Sequence, residues 1–280
     1  MPERPRVYRT DALILTRGPL GEADSVFTLF SPEVGKFDAV ARGVRKAKSR
    51  LRGHLEALSC VHVQLATGRT FDVITQVAPI DPFRALRDDL EKGALAQYVA
   101  EVVVHATAER HPQPELYALA MLTLSALAAG APSHVCRYFE VHLLTLSGYD
   151  FHLDSCALCA GRLPPEGSSV APQSGGLTCE ACRGRGGPSV GVSSRAIKAL
   201  RFARAQPLPE FMALRMDADL ASELEAVLRL MVRQVVDREI RSARFLEQLR
   251  HLDPAPVGRI DEAQAAAEAM EAAGAPPGVH

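Results

Sequence analysis

Cys156, Cys159, Cys179 and Cys182 form two Cys-x-x-Cys pairs separated by nineteen residues, a spacing that reads as a structural zinc site. Each pair makes a tight knuckle that presents two thiolates to one tetrahedral Zn2+, and the Gly- and Pro-rich stretch 161–176 lets the second knuckle fold back on the first. Four protein ligands leave no open coordination position, so one such ion per chain would stabilise and not catalyse. Binding free energies of roughly 10 to 16 kcal/mol at small cysteine-rich sites are enough to order a loop-rich insert. The alternative is four reduced thiols without a metal. Cys60 and Cys136 fall on or near apolar faces and read as small core residues.

A second chemistry is electrostatic. Between Asp38 and Glu56 the chain carries Arg42, Arg45, Lys46, Lys48, Arg50 and Arg52 with no acidic residue, although its formal net charge is only -1. Like charges repel one another until a polyanion arrives, so the run reads as an interaction arm. Gly43 and Gly53 bracket it and favour a mobile loop, and the run holds almost no apolar residue to bury. A merely solvated surface is the plain alternative, but such surfaces mix both signs. The expectation is a phosphate-binding loop made of these six residues, with Lys36 just before them. Arg183 and Arg185, behind the second knuckle, either solubilise the surface or extend the positive face.

Other chemistries lack their parts. His54-Leu-Glu56 matches a fragment of the zinc deaminase motif, but Ser155 and Thr178 stand where that motif needs Pro before Cys. There is no Walker loop, no Gly-x-Ser-x-Gly elbow and no dinucleotide fingerprint. The Cys-x-x-Cys pairs also lack the βαβ setting of a thioredoxin site. No enzyme is expected.

These residues need elements to hold them. At 280 residues and 47% hydrophobic composition the chain has room for two domains with a real core. A charged fraction of 23% and a pI near 6.8 are ordinary, so nucleic-acid affinity must come from local patches. Aromatics make up 5% with no Trp, which limits base stacking. The N-terminus has no apolar leader and no stretch approaches a membrane span, so a cytoplasmic protein with no membrane partner is expected.

Short strands are predicted at 7–16, 25–30, 36–41, 60–66 and 70–77. In the fourth, Val61, Val63 and Leu65 alternate with His62 and Gln64, as a half-buried strand requires. Three strands, a long connection and two more strands suggest a five-stranded OB-type barrel over residues 1–80 whose long connection is the basic arm. Periodicity then turns helical over 81–252. Helices are predicted at 88–109 on Leu95, Val99, Val102 and Ala106, at about 115–129, and from a Ser133 cap with Phe139, Leu143 and Leu146 facing inward. Further helices are expected at 194–205, at 220–236 on Leu224, Leu228, Met231 and Val235, and at 239–251, with the zinc module inserted at 154–185. The class is therefore α+β: an OB-fold barrel followed by an α-helical domain. The stretch 253–280, rich in Ala, Glu, Pro and Gly, reads as a disordered tail or frayed helix.

The segment from Gly21-Glu-Ala-Asp through Phe37-Asp-Ala-Val-Ala-Arg-Gly-Val-Arg45 resembles the N-terminal region of the RecO family of bacterial DNA-repair proteins. Arg137-Tyr-Phe-Glu-Val-His-Leu-Leu-Thr-Leu-Ser-Gly-Tyr149 and Arg241-Ser-Ala-Arg-Phe-Leu-Glu-Gln-Leu249 resemble that family's middle and closing helices, so the resemblance spans about 5–252. Many members carry a four-cysteine zinc site at this place. The resemblance implies an OB-fold and a helical domain without catalysis. It implies binding of single- and double-stranded DNA and annealing of complementary strands. It also implies work with RecR, often beside RecF, that helps RecA displace single-stranded-DNA-binding protein. The family contacts the acidic C-terminal tail of that binding protein through its helical domain, which makes Arg137, Arg195, Lys198 and Arg201 candidate partner residues. Two other readings remain: an RNA-binding OB module, and a scaffold that only recruits proteins.

Overall fold

The computed structural model describes residues 5–149, 151–164 and 166–252. The stretch 253–280, expected to be a tail, lies outside the described residues. Five strands come first: β1 (Val7–Leu20), β2 (Asp24–Ser31), β3 (Gly35–Ala41), β4 (Cys60–Ala66) and β5 (Asp72–Asp81). They hydrogen-bond in the order β1-β2-β3-β5-β4, with β4 returning to β1, so the sheet closes on itself. One strand makes closure possible. β1 pairs with β4 through Val7–Leu13 and with β2 through Leu13–Leu20, with a register shift between Ile14 and Thr16 that bends it from one neighbour to the other. The last seam is a short parallel pairing of β3 with β5 at Ala39–Asp72 and Val40–Val73.

Alternation along β1 serves two cores. Ala12 and Ile14 point into the closed sheet beside Phe27, Leu29, Phe37, Val61, Val63, Leu65 and Ile74. Leu13 and Leu15 point the other way and join Phe30, Leu58 and Cys60 in the core of the helical part. A strand buried on both faces has almost no polar alternation left, which is what Ala12 to Leu15 show.

The helices are α1 (Arg84–Asp88), α2 (Leu90–Ala106), α3 (Pro114–Ala128), α4 (Val135–Leu146), α5 (Ser194–Ala205), α6 (Leu208–Met212), α7 (Ala218–Val236) and α8 (Arg241–Leu252). Asp89, Ser193 and Asp217 cap α2, α5 and α7 by accepting from the third backbone N–H beyond them. The expected Ser133 cap is not made: the residue before α4 is His134, and no side chain caps that helix. α4 runs through the middle of the bundle, buried from Val135 to Tyr138 and onward on nearly every side, whereas Leu146 at its end is exposed and not inward-facing. None of the described helices is long and apolar enough to cross a membrane.

Between α4 and α5 a three-stranded sheet of β6 (Ser169–Ala171), β7 (Gly176–Thr178) and β8 (Val190–Gly191) carries the cysteines, in the order β7-β6-β8. β8 lies beyond residue 185, so this module is longer than its cysteine spacing suggests. It is not a detached insert: Leu163, Val170, Leu177 and Val192 share one core with the helices.

Candidate nucleic-acid interface and metal centre

The basic arm leaves the end of β3 and returns at β4 through a series of turns. Arg42, Arg45, Lys46, Lys48, Arg50 and Arg52 are all exposed. The arm is nevertheless tied down, against the expectation of a mobile loop with nothing to bury. Val44 and Leu55 are fully buried in the interior core of the closed sheet, and Leu51 packs against it. Burying a side chain of this size contributes about 1.5–3 kcal/mol. Hydrogen bonds fix its start: Gly43 N–H donates to Asp24 Oδ1 at 2.7 Å, Arg45 N–H to the Ala23 carbonyl at 2.9 Å, and the Arg45 guanidinium to the Gly21 carbonyl at 3.0 Å. At the other end Arg17 of β1 donates to both Glu56 carboxylate oxygens at 3.0 Å while lying over the Phe27 ring. Glu56 is thus a structural partner, and His54 near it is exposed and belongs to no metal-ligand group among the described residues. Asp24, Arg17 and Glu56 escaped sequence reasoning because each pairs across the sheet with a residue far along the chain.

Lys36 does not belong with the arm. It sits at the opposite end of β3, about 20 Å away at the rise of an extended strand. Its ammonium donates to the carbonyls of Val104 and Thr107, the latter at 2.6 Å, at the end of α2. Burial lowers its pKa against the opposing fields of Asp38 and Glu109. Lys36 therefore closes the junction between sheet and helices. Around it Arg110 N–H donates to the Lys36 carbonyl at 2.7 Å, and the Arg110 guanidinium reaches Asp72 at 2.6 Å. Tyr8 also donates to Asp72 at 2.6 Å. Burial opposes the charge on Asp72, but the donors Tyr8, Arg110 and Gly68 N–H outweigh it and hold the carboxyl below its ordinary range. His105, nearby on α2, has its pKa lowered by burial; Glu101 opposes that, and Arg238, Lys36 and Arg241 reinforce it.

The four candidate partner residues divide as well. Arg137 is buried, with its guanidinium 2.9 Å from Glu140 and 3.9 Å from Glu225, so it cannot meet an incoming tail. It offsets a carboxylate that burial pushes up to about 7 in spite of Arg137 and the Tyr98 hydroxyl. The i, i+3 spacing of Arg137 and Glu140 on an otherwise apolar helix was the available signal. Arg195 is exposed but paired with Asp217 at its helix start. Lys198 and Arg201 line one cleft of about 840 Å3 together with Arg162, Leu163, Pro164 and Ile197. There Arg201 donates to the Leu153 carbonyl at 2.7 Å and lies 3.4 Å from Asp154, an acid on the same wall.

The Sγ atoms of Cys156, Cys159, Cys179 and Cys182 all lie within 4.8 Å of one another, and all four thiols are free. The Cys159 to Cys179 sulfur separation is 3.9 Å, and a tetrahedral ion with bonds of about 2.3 Å would set sulfurs about 3.8 Å apart. The donor set therefore fits one ion of that geometry. Burial opposes ionisation of Cys156, but the N–H groups of Cys179, Cys159 and Leu158 overcome it and bring the thiol down to about 6. Backbone donors aimed at sulfur are what a metal thiolate requires around it. Gly176 allows the second knuckle to approach: a Cβ there would lie 2.5 Å from the His152 carbonyl oxygen.

The family model described as Recombination protein O N terminal matches residues 6–83, and that described as Recombination protein O C terminal matches residues 87–244. A protein named DNA repair protein RecO from Roseiflexus sp. is 38% identical over 260 residues, covering 91% of this chain and 92% of its own. One of the same name from Dehalococcoides mccartyi is 34% identical over 247 residues, covering 88% and 97% respectively. A third, from Desulforudis audaxviator, is 33% identical over 242 residues, covering 86% and 97%.

Proposed function

The chain belongs to the RecO family, whose role lies in DNA repair and recombination, and from that premise we propose that it is a non-catalytic DNA-binding mediator that anneals complementary strands. One observation carries the reading: six exposed cations sit on a loop whose apolar anchors are inserted into the core of a closed sheet. The closed five-stranded sheet, with its long connection after the third strand, is read as an OB-fold barrel. Arg42, Arg45, Lys46, Lys48, Arg50 and Arg52 grip phosphates without reading sequence, Arg by its bidentate fork and Lys as a point charge. Lys36 is not part of the grip.

Annealing follows from the same charge. Two single strands repel through their phosphates, and a protein that neutralises both lowers the cost of bringing them together. The four-cysteine cluster would hold a structural Zn2+ that keeps the module docked on the helical core. The cleft sets Lys198 and Arg162 around Leu163 and Ile197, with Arg201 already paired to Asp154 on the same wall, and this mix of free cations and apolar surface suits the acidic C-terminal tail of single-stranded-DNA-binding protein. In this reading the protein works in the cytoplasm with RecR, and often RecF, to let RecA load on single strands coated by that binding protein.

Salt titration of oligonucleotide binding tests the grip. Six phosphate contacts on a single strand give a slope of log K against log salt of roughly -4. Replacing Arg45, Lys46 and Lys48 with Ala should reduce that slope by about 2 and slow annealing. A wild-type slope near zero, or a triple variant that binds and anneals normally, rejects the arm. For the metal, elemental analysis should find one zinc per chain, lost when Cys156 and Cys179 are changed to Ser; a folded native chain without metal rejects it.

A further inference from the structure

We propose that the turn between α7 and α8 is a second phosphate-binding surface, which holds the sugar-phosphate backbone of the second DNA strand during annealing. The inference rests on the annealing role proposed above. A cavity of about 410 Å3 opens between these helices, lined by Arg229, Arg233, Arg238 and Arg244 with Tyr98 and Ile240 in its wall. Arg229 is neutralised by Glu225 at 2.8 Å and Glu247 at 3.1 Å. Arg233, Arg238 and Arg244 are exposed and have no acidic partner within ion-pair distance among the described residues. Glu239 is the remaining acid on the wall, so cations prevail there. Arg233 and Arg238 also border a neighbouring cleft of about 740 Å3 that runs toward Pro172, Gln173 and Pro188 of the cysteine module, where Asp237 is the added acid. Two guanidinium groups thus stand on a ridge between two open clefts, which suits an extended polyanion better than a compact one.

The surface is held in shape before any strand arrives. Asp237 takes the left-handed conformation, and its N–H closes α7 on the Arg233 carbonyl. Ile240 and Ala243 are buried. Glu101 of α2 accepts from the Arg241 N–H at 2.9 Å and from the Ser242 N–H at 2.8 Å, so the start of α8 is fixed to the central bundle. Ordering costs that a free loop would impose on binding are therefore already met.

This surface and the arm lie toward opposite ends of β3. The arm leaves β3 at its Ala41 end, while Arg238 and Arg241 lie near His105 and Lys36 at the Gly35 end. Asp38 and Glu109 stand close enough to Lys36 to act on its charge, so the Gly35 end carries carboxylates that the arm lacks. Two separated positive surfaces are suited to two strands.

Energy transfer between two labelled, non-complementary oligonucleotides tests this on the full chain. Wild-type protein should bring donor and acceptor together at two strands per chain. Changing Arg233, Arg238 and Arg244 to Ala should leave single-strand affinity within about twofold and the unfolding midpoint unchanged, while bridging and the annealing rate each fall about tenfold. Bridging and annealing at the wild-type rate overturn the second surface. A parallel loss of single-strand affinity also overturns it, because one strand would then span both surfaces. A wild-type chain that binds no single strand rejects the function on which the inference rests, and is told apart by that first titration.

Discussion

The two ends of β3 look alike in sequence and differ in kind. Gly35 and Lys36 begin the strand, and Arg42 and Gly43 follow it; each end has a left-handed glycine beside a cation. At the first end the cation is bound by two carbonyls and the glycine lies against the backbone of His111. At the second the cation meets solvent, and a Cβ on the glycine would meet nothing nearer than the Lys46 side chain at 3.7 Å. One end joins two parts of the molecule, and the other presents charge outward. A cation informs about ligands only after its internal partners have been counted.

Substitutions at the two ends should therefore separate stability from binding. Gly35→Ala carries the largest effect: its Cβ would lie 2.2 Å from the His111 carbonyl oxygen at a φ of +80°, and thermal or denaturant unfolding should show a loss of about 3 kcal/mol or more. Lys36→Met removes the donor from the Val104 and Thr107 carbonyls and should cost about 1–3 kcal/mol, with the salt slope of DNA binding unchanged. A reduced slope in that variant would return Lys36 to the arm and erase the contrast.

Acid should weaken the junction through Asp72. Asp72 has a depressed folded pKa, so its contribution is fully present above the unfolded carboxyl value near 4 and is lost as pH falls through the lower folded value. Stability measured from pH 5 to pH 2.5 should decline more steeply in the wild type than in Asp72→Asn. Gly43→Ala gives the smallest effect, about 1 kcal/mol from the positive φ, with DNA affinity retained. If Gly43→Ala matched Gly35→Ala, the two ends would not differ as described.

Strand alternation in 60–66 and the apolar repeats of α2 and α7 were legible because local period and tertiary burial agree there. The cysteine cluster was legible because its spacing encodes its geometry. What the sequence hid depends on contacts between distant segments. Val44 and Leu55 look like lone apolar residues in a charged loop until the mouth of the closed sheet receives them. Lys36 looks like one more arm residue until 104–110 arrives, and Arg137 like a surface charge until α4 proves to be central. The arginines at 233–244 look ordinary among Glu and Asp, and only the pairing of Arg229 shows which remain unmatched.

β1 also sets the order in which the chain can be completed. Leu13 and Leu15 emerge early in synthesis, but the α2 residues that cover them follow roughly 80 positions later, on the order of 4 to 16 s at 5–20 residues/s. During that interval the nascent sheet carries an uncovered apolar stripe, joined by Phe30, Leu58 and Cys60. A fragment ending at residue 83 would keep the stripe exposed permanently. It should be sticky when expressed alone, although the junction at Asp81 looks like a clean place to cut.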